Sequence, residues 1–137
     1  MLSFSLETRH RKEMTDITAE VRRAVSSAGM ENGAVVVFVP HTTAGITINE
    51  NADPDVRRDI LAHMATLVPG NTPFAHSEGN SDAHVQATLV GSSVTVIVEN
   101  GRLVLGTWQS VFFCEFDGPR TRKVLVQMLP GLKHPCL

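Results

Sequence analysis

Val94-Thr95-Val96-Ile97-Val98-Glu99-Asn100-Gly101-Arg102-Leu103-Val104-Leu105 is the stretch on which the fold turns. Val94, Val96 and Val98 alternate with Thr95, Ile97 and Glu99, the two-residue period of a strand. Asn100-Gly101 then supplies two residues that tolerate φ > 0, as a tight hairpin turn requires. A hairpin here commits the carboxy-terminal third to antiparallel β structure. After a break at Gly106-Thr107, Trp108 to Phe116 reads as a long strand, which Asp117-Gly118-Pro119 is expected to turn back into a strand from Thr121 to Met128.

Upstream of the hairpin, strands and helices alternate. Phe4, Leu6 and Thr8 form the inward set of a half-buried first strand. Asp16 is placed to cap a helix whose apolar stripe is Ile17, Val21, Ala24, Val25 and Ala28, with Gly29 to stop it. Ala34 to Val39 is a continuous β-branched and aromatic run, expected to be buried on both faces, and Pro40 ends its ladder for want of an N–H. Gly45 to Asn49 alternates as another strand. Asp53 and Pro54 open a second helix with Val56, Ile60, Leu61, Met64 and Leu67 as its buried stripe. Pro69-Gly70-Asn71-Thr72-Pro73 breaks the pattern, residues 70 to 80 form a long loop, and Ser81 or Asp82 caps a third helix that Gly91 ends. The whole predicts one α+β domain over residues 1–137, largely antiparallel, with two to three helices.

Composition narrows the function. A chain of 137 residues can bury a core without staples, and a formal charge of -2 with pI near 6.3 provides no basic field for nucleic acid. The two cysteines read as a small buried hydrophobe, Cys114, and a tail thiol, Cys136, consistent with a reducing compartment. Neither a signal peptide nor a membrane span is legible, so a soluble cytoplasmic protein without a membrane partner is expected. The glycine-rich nucleotide motifs and the GxSxG elbow are absent, which argues against nucleotide-dependent and acyl-enzyme chemistry.

His41, His76 and His84 each sit at an edge of regular structure among small polar and acidic residues. Three imidazoles with an open fourth position make a catalytic zinc-type site, with Glu78 or Asp82 free to ligate or orient a ring. Their spacing matches neither the i, i+4 pair of a metalloprotease helix nor a zinc finger, and a histidine taken singly is more often a hydrogen-bonded surface residue. Asp53 and Asp59 have adequate structural readings as helix cap and solvated face. Glu50 has none, which makes it the candidate for proton transfer. Arg120, with Arg122 nearby, either flanks a turn or offers a guanidinium to phosphate or carboxylate. Gly106-Thr107-Trp108-Gln109 is either a bulge glycine before a core Trp, or a bulge that aims Thr107 or Gln109 into a pocket.

His41-Thr42-Thr43-Ala44, Thr47 to Pro54, Asp82-Ala83-His84, Leu105 to Gln109 and Glu115 to Arg120 together resemble the YjbQ-type family over nearly the whole chain. The resemblance implies an α+β fold with barrel-like β structure, homotrimers, and a secondary thiamine-phosphate synthase activity. It makes His41, His76 and His84 divalent-metal ligands, places Glu50, Asn51 and Asp53 around the same pocket, and turns Arg120 and Gln109 toward a substrate phosphate. The function so implied is a metal-dependent transferase that couples a pyrimidine-methyl pyrophosphate to a thiazole phosphate, with Glu50 managing a proton and a small phosphorylated metabolite as partner. Three imidazoles suit zinc better than magnesium; manganese is the other alternative. The rival expectations are a metal-dependent hydrolase or lyase and a non-enzymatic trimeric module that binds a metal or metabolite.

Overall fold

The computed structural model describes residues 1–132; Cys136 lies outside the described residues. Two antiparallel sheets carry the fold. The larger runs β1 (Leu2–Glu7), β8 (Thr121–Pro130), β3 (Gly33–Phe38), β5 (Ser93–Glu99) and β6 (Arg102–Leu103); the smaller runs β2 (Glu13–Asp16), β7 (Gln109–Glu115) and β4 (Ala44–Glu50). Three helices, α1 (Thr18–Ala28), α2 (Pro54–Leu67) and α3 (Ser81–Val90), complete an α+β architecture in which the sheets curl into a half-barrel.

The period-2 pattern sets the core. Val35 lies opposite Val96 and Met128, and Val37 opposite Val94 and Val126, so one face of the larger sheet is a close-set valine layer. Each fully buried valine contributes roughly 1.5–3 kcal/mol relative to exposure. Val111 and Phe113 of β7 meet that layer, and Ile17, at the N-cap of α1, packs against it with Val21 and Val25 of the helix. The alternate β7 residues Phe112 and Cys114 face the other way, into a second cluster with Met14, Phe116 and the α3 residues Ala83 and Ala87. β7 is thus buried on both faces. The expected hairpin forms with φ of 51° at Asn100 and 73° at Gly101, and Gly29 ends α1 at φ 67°.

Several expectations need correction. β7 and β8 do not pair, because β2 and β4 already occupy both edges of β7. Asp117-Gly118-Pro119 is therefore a corner that carries the chain from one sheet to the other. β3 is buried on one face alone: Phe38 is 39% exposed, and Ile97 (62%) and Leu129 (48%), both opposite Ala34, are open on the same outer face. Among the described residues no layer covers that side. Trp108 is exposed rather than core, and the α2 stripe is at best half-buried, with Leu67 exposed. Neither Ser81 nor Asp82 caps α3; the N-cap position is Asn80, and the Asp82 carboxylate is engaged elsewhere. β2 was not anticipated, being four residues long.

Candidate functional site

β3 stops at Pro40, and the chain turns through His41 and Thr42 before β4 begins at Ala44. That crossing is tied down from below. Arg122, almost wholly buried, donates from Nη2 to Thr43 Oγ1 at 2.8 Å and from Nε to Glu115 Oε1 at 2.8 Å, and forms an ion pair with the second Glu115 oxygen. Thr8 donates to Glu115 Oε1 at 2.7 Å, and the Asp117 amide to Oε2 at 3.1 Å. Burial alone would raise the Glu115 pKa, but its bonds to Arg122, Thr8 and the Asp117 amide outweigh that and hold it below the usual carboxylate range.

A second buried carboxylate fixes α3. Asp82 accepts from Lys12 Nζ at 2.8 Å and from Arg11 at 3.1 Å, while Lys12 also reaches Gln86 Oε1 at 2.7 Å. Its desolvation is again more than offset by these cations, so its pKa is lowered. Asp117 joins the two halves: its Oδ1 accepts from Arg11, and its Oδ2 from Asn80 and from Arg120 at 3.0 and 3.1 Å. Gly118 is required at the corner because a Cβ there would lie 2.3 Å from the His10 carbonyl oxygen.

On this scaffold His41, His76 and His84 border one cavity of ≈ 500 Å³, together with Arg120, Asn80 and Asp117. The His76 and His84 rings stand edge to face, 5.7 Å between centroids, and Glu78 lies 3.7 Å from His76 Nε2. His41 Nε2 accepts the Lys123 amide hydrogen at 2.9 Å. A ring that accepts there is neutral and carries its hydrogen on Nδ1. Burial first, then the Arg122 charge, keeps the His41 pKa below its ordinary value.

The donor set fits a divalent ion in kind: three imidazoles, with the buried Asn80 Oδ1 beside them lacking any hydrogen-bond partner among the described residues. The arrangement is not drawn together as a coordination sphere. Among the described residues no group of three His, Cys, Asp or Glu side chains is positioned to hold an ion. Whichever nitrogen His41 offered, its bond from Lys123 would have to open, because a metal on Nδ1 leaves the hydrogen on Nε2.

The other candidates lie elsewhere. Glu50 is paired with Gln109 and Ala44 with Glu115, so Glu50 stands six strand residues, about 20 Å, from the cavity end of the β4–β7 ladder. Asp53 caps α2 through the Asp55 amide, and Asn51 bridges Asp16 and Arg57. Gln109 accepts the Gly106 amide and closes its own turn, with Thr107 exposed between them. Within a single chain Glu50, Asn51, Asp53, Thr107 and Gln109 do not border the cavity that holds the histidines, which corrects the expectation of one shared pocket. Sequence reading missed Glu115, Asp117 and Thr43. The available signal was a carboxylate inside the apolar run Val111 to Phe116, which demands a buried partner. Burial pushes the Cys114 thiol up to about 12, so no thiolate is on hand.

Fold and cavity define a small α+β protein with a histidine- and arginine-lined pocket at the rim of a half-barrel. The family model described as UPF0047 protein YjbQ-like matches residues 2–131, and the chain belongs to that family. It is 51% identical over 128 residues to the UPF0047 protein YugU of Bacillus subtilis, covering 93% of this chain and 97% of that one. UPF0047 protein MJ1081 of Methanocaldococcus jannaschii is 49% identical over 129 residues, 94% of each chain. Among solved structures, a YjbQ/UPF0047 family protein of Clostridium acetobutylicum superposes with a TM-score of 0.93 at 53% identity, over 94% of this chain and 100% of that one. No helix among the described residues is long and apolar enough to cross a membrane.

Proposed function

We propose that this chain is a transferase that takes a small phosphorylated metabolite into the His41–His76–His84 cavity, with thiamine-phosphate synthesis as the reaction to test first. The observation that carries the reading is the meeting of three imidazoles and the Arg120 guanidinium around one cavity. In the coupling, the thiazole nitrogen forms a C–N bond to the pyrimidine methylene carbon as the C–O bond to pyrophosphate breaks. The nitrogen brings its own lone pair, so no proton has to be removed, and the distance of Glu50 from the cavity is no obstacle. What the reaction needs is stabilisation of the departing pyrophosphate. Arg120 is aligned for that by Asp117, and His41 offers an Nδ1–H donor without a charge of its own. A divalent ion, zinc before magnesium or manganese, would be held by His41, His76 and His84 once the Lys123 bond to His41 opened, and would then supply neutralisation of the leaving group.

A second copy of the chain is the partner we assign. The apolar face carrying Phe38, Ile97 and Leu129, uncovered among the described residues, supports self-association, and the resemblance to the YjbQ-type family supplies the homotrimer as its form. Light scattering should return three times the chain mass of 14.9 kDa; a single chain mass contradicts it. The activity test incubates purified protein with the two precursors and zinc, manganese or magnesium in turn. Thiamine phosphate should form with at least one metal and fall about a hundredfold with Arg120→Ala, the order expected for losing one charge-stabilising donor. Absence of product with all three metals rejects the synthase reading.

A further inference from the structure

Two cavities meet at His41 and His84. The larger is the one described above, and a second of ≈ 380 Å³ shares His41, Thr42 and His84 with it as a common wall. Beyond that wall their chemistry diverges. The larger contains Glu78, Asp117, Arg120 and Arg122; the smaller is completed by Ala44, Ala87, Thr88, Gly91 and Ser92, with no titratable group among the described residues other than the shared imidazoles.

The smaller cavity owes its room to short side chains. β4 and the end of α3 approach closely, since Ile46 donates its amide to the Gly91 carbonyl at 3.0 Å and a Cβ on Gly45 would come within 2.7 Å of that oxygen. At this approach Ala44, Ala87 and Gly91 leave space that larger residues would fill. The Thr88 hydroxyl donates to the His84 carbonyl at 2.8 Å, so only its acceptor lone pairs remain for a ligand. A charged group placed there would meet no counter-charge among the described residues. An uncharged ring meets short apolar side chains, imidazole edges and a few hydroxyls.

We infer that the smaller cavity is the subsite for the organic part of one of the phosphorylated ligands, and that this part is an uncharged ring. The phosphate lies with Arg120, the ring lies beside Ala87, Thr88 and Ser92, and the linkage between them passes between His41 and His84. The inference rests on the reading that the larger cavity takes phosphate. It adds to that reading a polarity for the ligand and a site that decides which phosphate ester is preferred.

Isothermal titration of the full chain with inorganic phosphate, glycerol 3-phosphate and benzyl phosphate tests it. Benzyl phosphate should bind about tenfold tighter than inorganic phosphate, as burying one ring face supports, whereas glycerol 3-phosphate should show no such gain. Ser92→Trp and Thr88→Tyr, at exposed positions on different walls, each fill the smaller cavity. Each should abolish the benzyl gain while leaving inorganic phosphate binding unchanged. Equal affinity for the three probes, or a gain that survives whichever filled variant keeps the wild-type circular dichroism spectrum, overturns the subsite. Failure of inorganic phosphate to bind the wild-type chain instead removes the parent reading, and this one with it.

Discussion

The two ends of the β4–β7 ladder hold similar residue types and use them differently. At the end where Ala44 faces Glu115, buried carboxylates are joined to their partners over long sequence separations: Thr8 to Glu115, Arg11 to Asp117, Lys12 to Asp82. The imidazoles are left to line a cavity. At the end where Glu50 faces Gln109, polar groups mostly satisfy nearby backbone. Asp53 caps α2, Gln109 closes the turn from Gly106 to Gln109, and Asn49 accepts the Glu50 amide. Long-range buried pairing marks a scaffold built to hold something in place. Local pairing marks the ends of elements.

That contrast predicts an order of effects. Glu115→Ala leaves Arg122 buried without its partner and should cost about 3–5 kcal/mol, read as a loss of unfolding free energy in urea. A loss below about 1 kcal/mol would mean that the buried pair supports nothing. Arg120 is half-exposed, so Arg120→Ala should leave stability within about 1 kcal/mol while removing phosphate affinity, which separates the site from its scaffold. At the opposite end, Asp53→Ala should cost about 1 kcal/mol for the lost helix cap and leave turnover unchanged. Glu50→Gln should alter kcat/KM by no more than about threefold. A hundredfold loss there would show that a neighbouring copy brings this end onto the cavity.

The smallest expected effect is on pH dependence. The His41 pKa is lowered in the folded chain, so the unfolded chain binds the proton more readily. Its contribution to stability is complete above 6.5, the ordinary value, and is lost as pH falls through the folded value. Melting temperatures between pH 8 and 5 should fall in the wild-type chain and fall less in His41→Gln, whose side-chain carbonyl can still accept the Lys123 amide. Asp82 and Glu115 act in the same sense at lower pH, their contributions being lost as pH drops from their ordinary values of 3.8 and 4.5 through the folded ones. Identical pH profiles for the two proteins would remove His41 from this account.

Local chemistry was readable from the sequence, and so were the elements that local chemistry makes. Asn100-Gly101 gave its hairpin, Asp53-Pro54 its helix start, Gly29 its left-handed stop and Pro40 its strand end, each through backbone preferences of the residues themselves. The alternation of strand and helix patterns carried the α+β class, and the resemblance to the YjbQ-type family added its barrel-like curl. Pairing between distant segments was not readable: nothing in Asp117-Gly118-Pro119 says that β7 has no free edge and that β8 must join the other sheet. The burial of β3 was misjudged for a related reason, since an apolar run does not reveal whether its second face is covered by the same chain. Among site residues, the histidines could be singled out by their position at element ends. Glu50, which the resemblance places at the pocket, stands away from it within one chain because an extended strand carries it from His41 at about 3.3 Å per residue.

The most direct measurement follows the imidazole nitrogens of the labelled chain by NMR while pyrophosphate is added. The account predicts saturable shifts at His41, His76 and His84, loss of all three in Arg120→Ala, and no response at His10 or His63, which do not border the cavity. Unmoved resonances for the trio at millimolar pyrophosphate, or shifts at His10 or His63 instead, would contradict it.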